Sequence, residues 1–355
     1  MAFPKATGYQ NLPNGNFSPV IYSKQVQLAF RKSSVVEDIT NSDYFGEIAN
    51  MGDSVKIIKE PEVSVQAYSR GTQITAQDLD DEDFTLVVDQ SNYYAFKIDD
   101  IEAAHSHINF MSLASDRAAY RLRDQYDQDV LGYLAGYQQS AKHGAPDTAR
   151  STSPGTNSVS TAGNDELLTT MKLTKEDFGN INSPGTGNSI PLAPRLPGQT
   201  AQSTTTATAL QIINRMGRLL DQQFVDTGDR WLVVDPVFIE VLKDEDSRLL
   251  NSDFGGSGLQ NGLVVNNLHG FKIYVSNNLP QVGTGSGTTG ASNQSTNFGV
   301  IVAGHGSAVA TAQQVSKTES YRDPDSFADI VRGMHLYGRK ILRPEAIVTA
   351  NFNVA

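Results

Sequence analysis

The chain has 355 residues, more than one hydrophobic core usually serves, which points to two or three modules. Its 28 Lys and Arg against 39 Asp and Glu give a net charge of −11, and no basic block could neutralise a run of phosphates, so tight nucleic-acid binding is disfavoured. The absence of cysteine excludes disulfides, thiolate metal sites and cysteine nucleophiles, and with neither a signal-peptide pattern nor an apolar run of about 18 residues, neither secretion by that route nor a membrane span is expected.

Residues 1–20 hold three prolines among Asn and Gly without apolar periodicity and read as an extended arm. From Tyr22 to about Asn50, Val26, Phe30, Val35 and Ile39, followed by Asp43 and Tyr44, predict one or two short amphipathic helices. Between Asp53 and Ile98 apolar residues alternate in two bursts. Val55, Ile57, Val63 and Val65 form the first, and Phe84, Leu86, Val88, Tyr94, Phe96 and Ile98 the second. That pattern predicts an antiparallel two-stranded ribbon joined through Arg70-Gly71 to Asp83. An isolated ribbon is marginal in water, so this one needs a partner, and deleting residues 60–90 is expected to leave a foldable monomer that cannot assemble.

Asp99 and Asp100 suit a helix start, where carboxylates meet unsatisfied amides. The following stripe, Ile101, Ala104, Ile108, Met111, Ala118, Leu122, Tyr126, Val130, Leu134 and Tyr137, predicts a long helix over 99–141. Residues 140–205 are rich in Ser, Thr, Gly, Pro and Asn and read as an irregular insertion, interrupted by a short apolar stretch from Leu167 to Leu173. Leu210, Ile213, Met216, Leu220 and Phe224 predict a second helix over about Thr206 to Asp226.

An α/β unit follows. The apolar run Trp231 to Val234 predicts a buried strand, and Asp235-Pro236 supplies an N-cap and a first-turn proline for a helix to about Leu250. Further strands are expected at Leu263 to Val265, Phe271 to Val275 and Phe298 to Ala303, with a flexible glycine-rich loop at 283–296 and a helix from Ser307 to Gln314. The final segment, Asp323 to Ala355, reads as strands folding back on the helical module, and no fixed-period repeat is visible.

Several motifs invite chemistry that their contexts deny. Gly285 to Gly290 matches a dinucleotide fingerprint literally, but Asn and Thr follow instead of a helix, so a loop is expected. His105 and His107 lie two apart on a helix and cannot share a metal. Asp80, Asp81, Glu82 and Asp83 lack the alternating ligands and glycine of a calcium loop; a solvated tip, or one facing a neighbour's basic residues, is expected. His305-Gly306-Ser307 has no nucleophile elbow. Arg339, Lys340 and Arg343 form a short basic cluster that could meet phosphates or pair with the acidic surface of a neighbour, and the net charge favours the second. No catalytic, cofactor-binding or metal residues are assigned. Candidate inter-subunit contacts are Arg70, Asp80, Asp81, Glu82, Asp83, Arg339 and Arg343.

The element order, with the phrases WLVVDPVFIEVLK (231–243), HGFKIYVSNNLP (269–280) and DIVRGMHLYGRKILRPEAIV (329–348), resembles the Hong Kong 97-type major capsid protein family of tailed bacteriophages over nearly the whole chain. The resemblance implies an α+β fold. An N-terminal arm with short helices (1–52) would precede an extended loop (53–98), and a peripheral domain (99–227) would contain the spine helix (99–141) and the insertion (142–205). An axial domain (228–315) and C-terminal strands (316–355) returning to the peripheral domain would complete the chain. It implies a non-enzymatic subunit that self-assembles, as hexamers and pentamers, into an icosahedral shell around double-stranded DNA held without sequence-specific binding. Assembly is expected in the host bacterial cytoplasm, with no cofactor and no membrane. A separate scaffolding protein and a portal protein are implied partners, with room for decoration proteins. Some family members cross-link subunits through a lysine and an asparagine, but nothing in the spacing of Lys56, Lys59 and Asn92 singles out that chemistry. The alternatives are an encapsulin-like compartment shell, which shares the fold, and a soluble α/β enzyme using residues 230–315.

Overall fold

The computed structural model describes residues 34–43, 54–58, 63–71, 73–74, 76–77, 83–100, 110–138, 148–149, 167–178, 190–192, 206–242, 267–279, 281–283 and 297–354. In chain order, helix α1 (Val36–Ile39) is followed by β1 (Ser54–Ile58), β2 (Asp83–Val87), β3 (Gln90–Asp99) and helix α2 (Phe110–Ala135). Short strands β4 (Tyr137–Gln138), β5 (Thr148–Ala149), β6 (Lys172–Leu173) and β7 (Ile190–Leu192) come next. Helix α3 (Ala209–Gln222), β8 (Arg230–Val234), helix α4 (Pro236–Leu242), β9 (Asn267–Leu268), β10 (Phe271–Val275) and β11 (Gln281–Gly283) follow. The chain then runs through β12 (Asn297–His305), β13 (Val309–Arg322), β14 (Ala328–Ile341) and β15 (Ile347–Val354).

The centre is an eight-stranded mixed sheet in the order β6-β15-β12-β8-β10-β9, with β11 added to β12 and β7 to β15. Its middle strands are apolar on both faces because both are covered. On one side Leu232, Val234, Ile301, Ala303, Val348, Ala350 and Phe352 pack against Ile212, Ile213, Met216 and Leu220 of α3 and Phe238, Ile239 and Leu242 of α4. On the other, Trp231, Val233, Val300, Val302 and Ile347 pack against Tyr126, Val130, Leu131, Tyr133 and Leu134 of α2 and Val36 and Ile39 of α1. The result is a helix–sheet–helix stack, one of the few ways to bury a two-faced sheet. Local signals set its helices. Thr208 caps α3 in a reciprocal box with Gln211, and the Asp235 side chain accepts from the Val237 amide at 3.4 Å ahead of Pro236.

A second sheet, β13-β14-β3, has the 14-residue β14 at its middle, and β1 pairs with β2 to form the base of the ribbon. Leu86 and Val88, with Ala310, Ala312 and Leu342, form a small separate core sealing that base onto β13 and β14. Gly338 makes the crossing possible: a Cβ there would overlap the Val87 carbonyl oxygen. The 60–90 deletion is therefore not innocuous as expected, because it removes the buried Leu86 and Val88.

Helix α2 joins the two sheets. Asp127, fully buried, accepts from Ser34 Oγ at 3.0 Å and from the Val35 and Val36 amides at 3.0 and 3.1 Å, so it caps α1 from another element. Asn278, just past β10, donates to Asp124 at 3.0 Å and Asp127 at 2.8 Å, bridging both carboxylates to the central sheet. Toward β14, Tyr126 meets Tyr337 edge-on at 4.9 Å and His335 at 5.5 Å, while His335 stacks on Tyr337 at 5.1 Å. The Tyr337 hydroxyl donates to Asp129 at 2.9 Å and accepts from the Asn92 amide at 3.3 Å.

Several expectations are corrected. The second apolar burst is divided: Phe84 and Leu86 belong to the ribbon, but Tyr94, Phe96 and Ile98 lie on β3, paired with Gly333, Val331 and Asp329 of β14. The long helix ends at Ala135, not 141. Gly136 adopts φ 76°, a left-handed helix stop, and Tyr137 belongs to β4. Residues 101–109, including His105 and His107, lie outside the described residues, as does the expected strand at Leu263 to Val265. The insertion is not wholly irregular, since β6 and β7 pair in parallel with β15. No helix occupies 307–314: from Val309 the chain is β13, paired with β14 along its length and bonded to Asn41 through Val309 O and the Thr311 amide. Long-range pairing outweighs the helix propensity of that Ala-containing run. Phe224 leaves the α3 stripe altogether, beyond a helix that ends at Gln222.

Three outcomes follow. Gly338→Ala should lower subunit stability by about 1–3 kcal/mol through overpacking, read from urea unfolding. Asp127→Ala strips four donors of one partner and should lower stability by about 3 kcal/mol, with hydrogen exchange rising in residues 34–40. Burial holds the His335 imidazole below its ordinary value of 6.5, so its neutral form is favoured in the folded subunit. Its stabilising contribution is complete above that value and is lost as pH falls from there through the folded pKa. Stability measured against pH should decline with acid over that window, and His335→Gln should flatten the decline.

Candidate assembly surfaces

The ribbon leaves the body at Ile58 and returns at Asp83. Val55 and Ile57 turn half-buried toward the small core, while Ser54, Lys56 and Ile58 face solvent. Beyond this base every described residue from 63 to 77 is exposed, including the apolar Val63, Val65 (97%), Tyr68 and Ile74 (80%). The two arms are clipped by Gln77, whose side-chain oxygen accepts from the Ser64 amide and hydroxyl at 2.9 and 2.8 Å. Arg70 is exposed at a turn with Gly71 at φ 92°. Large apolar side chains held out on a two-residue-wide element form a surface built to be covered.

A second exposed surface lies at the far end of β3-β14-β13. Tyr93 stands opposite Met334 part-way along the strands, both exposed, Tyr321 lies four residues further toward the end, opposite Ile330, and Phe327 protrudes from the β13–β14 turn. Ion pairs fix this end. Lys97 donates to Asp323 at 2.5 Å, and that ammonium, with the Ser326 hydroxyl and the Asp325 amide, holds the Asp323 carboxyl down to about 2. Arg322 pairs with Asp100, and Arg332 pairs with Glu319 at 2.8 Å while lying 5.0 Å over the Tyr321 ring. Both guanidiniums are pushed above their ordinary value by those carboxylates, Asp100 first for Arg322 and Glu319 for Arg332. Such exposed pairs add little stability but hold strand ends in one geometry.

The residues singled out in the sequence are scattered. Arg70 sits at the ribbon turn; Asp83 opens β2 opposite Ile58; Asp80, Asp81 and Glu82 lie outside the described residues. Arg339 is not a surface cation. It is 9% exposed, pairs with Asp129 of α2 and lies 4.8 Å over the Tyr133 ring, and burial lowers its pKa to about 10. Lys340 is also buried, leaving Arg343 as the exposed member of the expected basic cluster. Lys56 is exposed on β1, Asn92 is engaged with Tyr337, and Lys59 lies outside the described residues. His305 Nδ1 meets Ser307 Oγ at 2.8 Å and accepts the Ser307 amide at 3.2 Å, closing the turn between β12 and β13. Among the described residues no three His, Cys, Asp or Glu side chains could hold a metal, and no helix is long and apolar enough to cross a membrane. The face carrying Tyr93, Tyr321 and Met334 escaped sequence reading because β3 was assigned to the ribbon and the long strand β13 was not recognised; the alternating Thr311, Gln313, then Lys317, Glu319, Tyr321 was the strand signal.

Comparison with known proteins agrees with this architecture. A family described as phage capsid protein matches residues 59–350, most of the chain. A solved structure from Mycobacterium phage Che8 shares 23% identity at a TM-score of 0.66, covering 94% of this chain and 97% of that one. The capsid structure of cyanophage P-SCSP1u matches at 19% identity and TM-score 0.62, covering 96% and 94%, and the mature capsid of bacteriophage PhiM1 at 15% and 0.62, covering 99% and 97%. No curated protein sequence matches. At these identities the structures establish the shared fold, the Hong Kong 97-type α+β arrangement expected from the element order. The chain belongs to the phage capsid protein family, and it is a capsid protein that forms the shell.

Proposed function

We propose that the subunit closes an icosahedral shell of hexamers and pentamers around the double-stranded DNA of a tailed bacteriophage by laying its ribbon over a neighbouring copy. The carrying observation is the row of exposed apolar side chains, Val63, Val65, Tyr68 and Ile74, on a ribbon whose base is sealed onto the subunit. Burying each on a neighbour would contribute ~1–2 kcal/mol, and contacts repeated around closed rings sum to a stable lattice. The negative charge of the chain suits a wall that contains nucleic acid without gripping it. In this reading the subunit has no catalytic role and assembles in the host bacterial cytoplasm with a scaffolding protein and a portal protein. The ribbon from β1 to β2 acts as the extended loop, with β3 part of the body, and the segment from β8 to β12 acts as the axial module. The inter-subunit contacts assigned to Arg70, Asp80, Asp81, Glu82, Asp83 and Arg343 belong to it as well.

The experiment replaces residues 62–79 with a short Gly-Ser linker, sparing β1, β2, Leu86 and Val88. The truncated subunit should melt within a few degrees of the intact one, yet yield of closed particles by sedimentation and negative-stain microscopy should fall by roughly tenfold or more, as expected when a multivalent contact is removed. Normal particles from the truncated chain would sink the proposal.

A further inference from the structure

Among the described residues three non-glycine residues adopt left-handed backbone, Phe224 (φ 57°), Asp229 (φ 54°) and His269 (φ 52°). All three lie at one end of the central sheet. Phe224 and Asp229 belong to the segment that enters β8 at Arg230, His269 sits in the turn between β9 and β10, and β8 and β10 run in parallel with Trp231 beside Lys272. Lys272 Nζ donates to Asp229 at 2.6 Å, tying the two turns together. Left-handed conformation in residues with a Cβ raises the energy of the folded chain, and such residues collect where function requires them.

Phe224 is the sharpest case. Its amide bonds to Asp221 O at 3.1 Å and the Val225 amide to Leu220 O at 3.1 Å, the pattern of a helix terminus whose left-handed position is usually glycine. Here the position carries a phenyl ring 96% exposed to water. Both features disfavour the isolated subunit, and glycine would relieve both. The turn is nevertheless rigid, because the buried Arg230 guanidinium donates to Val225 O at 2.5 Å and Asp226 O at 2.7 Å and pairs with Asp221 at 2.8 Å. A cation placed inside the fold thus holds an aromatic knob outside it, flanked by Asp221, Asp226 and Asp229.

We infer that this end of the sheet is a contact between subunits, with Phe224 as the apolar knob that inserts into a second copy of the same chain. The inference rests on the shell reading above, in which each subunit is surrounded by copies. Of the carboxylates beside the knob, Asp221 is paired with Arg230 and Asp229 with Lys272 within the subunit, which leaves Asp226 to face an exposed arginine of a neighbouring copy, such as Arg218 or Arg343. A heterologous contact of this kind, knob on one surface and socket on another, closes rings when the rotation closes. It is separate from the ribbon contact, which leaves the body from a different sheet.

The test compares Phe224→Gly, Phe224→Asn and Phe224→Tyr with the wild-type full chain, co-expressed with whatever scaffolding partner supports wild-type assembly. Gly and Asn accept the left-handed backbone without the ring; Tyr keeps the ring. Unassembled Phe224→Gly should melt at the wild-type temperature or up to about 2 °C higher. Particle yield should drop by roughly fivefold or more for Gly and Asn and stay near wild type for Tyr, as loss of a buried aromatic anchor predicts. Wild-type yield from Phe224→Gly overturns the inference while leaving the shell reading intact, and a marked fall in its melting temperature overturns it by making the ring an internal support. A wild-type chain that forms no closed particle overturns the shell reading and this inference with it.

Discussion

The subunit depends on the burial of the second half of α2 between two sheets that share no strand. From Asp124 onward the helix faces protein on nearly every side, so its polar side chains find partners within the fold. Asp127 supplies a carboxylate to the amides that open α1; Asp124 and Asp127 share the Asn278 amide; Asp129 takes the Tyr337 hydroxyl and pairs with Arg339. A buried carboxylate left without partners is strongly unfavourable, so these contacts specify one seating of the helix where an apolar seam alone would tolerate several. The early N-terminal segment, the central sheet and the β14 sheet are thereby registered to one another through a single 26-residue rod.

The outward surfaces obey the opposite rule. Where the interior matches each charge, the ribbon and the strand ends expose rings and branched side chains with few fixed neighbours, and the surface ion pairs around Arg322 and Arg332 orient strands more than they stabilise them. A protein that must first persist as a subunit and then join many copies is served by this division, with strong specific bonds inside and modest apolar contacts outside. Each outer contact is weak enough to be corrected during assembly and gains strength by repetition.

Local chemistry was legible from residues alone. The Asp235-Pro236 start of α4, the α3 stripe, the β8 and β10 strands and the ribbon base all follow from spacing and capping. Partnership over long distances was not. The alternation in Tyr94, Phe96 and Ile98 signals a strand but not that its partner is Gly333, Val331 and Asp329, more than 200 residues away. Arg339 carried the signature of a surface cation because its partners, Asp129 and Tyr133, lie far upstream, and Phe224 fitted a helical stripe whose last turn the chain does not complete. Each miss arose where tertiary pairing overrode a local preference, the expected failure of periodicity arguments.

The junction between β2 and β3 carries a mechanical meaning. Only Val88 and Asp89 separate the end of the ribbon from the strand paired with β14, and Val88 is itself buried. Two residues leave no slack for a hinge, and the Gly338 crossing pins the adjoining backbone against β14. The ribbon is therefore a lever with its fulcrum inside the subunit. A displacement of β2 would be shared by β14, whose His335, Tyr337 and Arg339 sit on the rod beneath it.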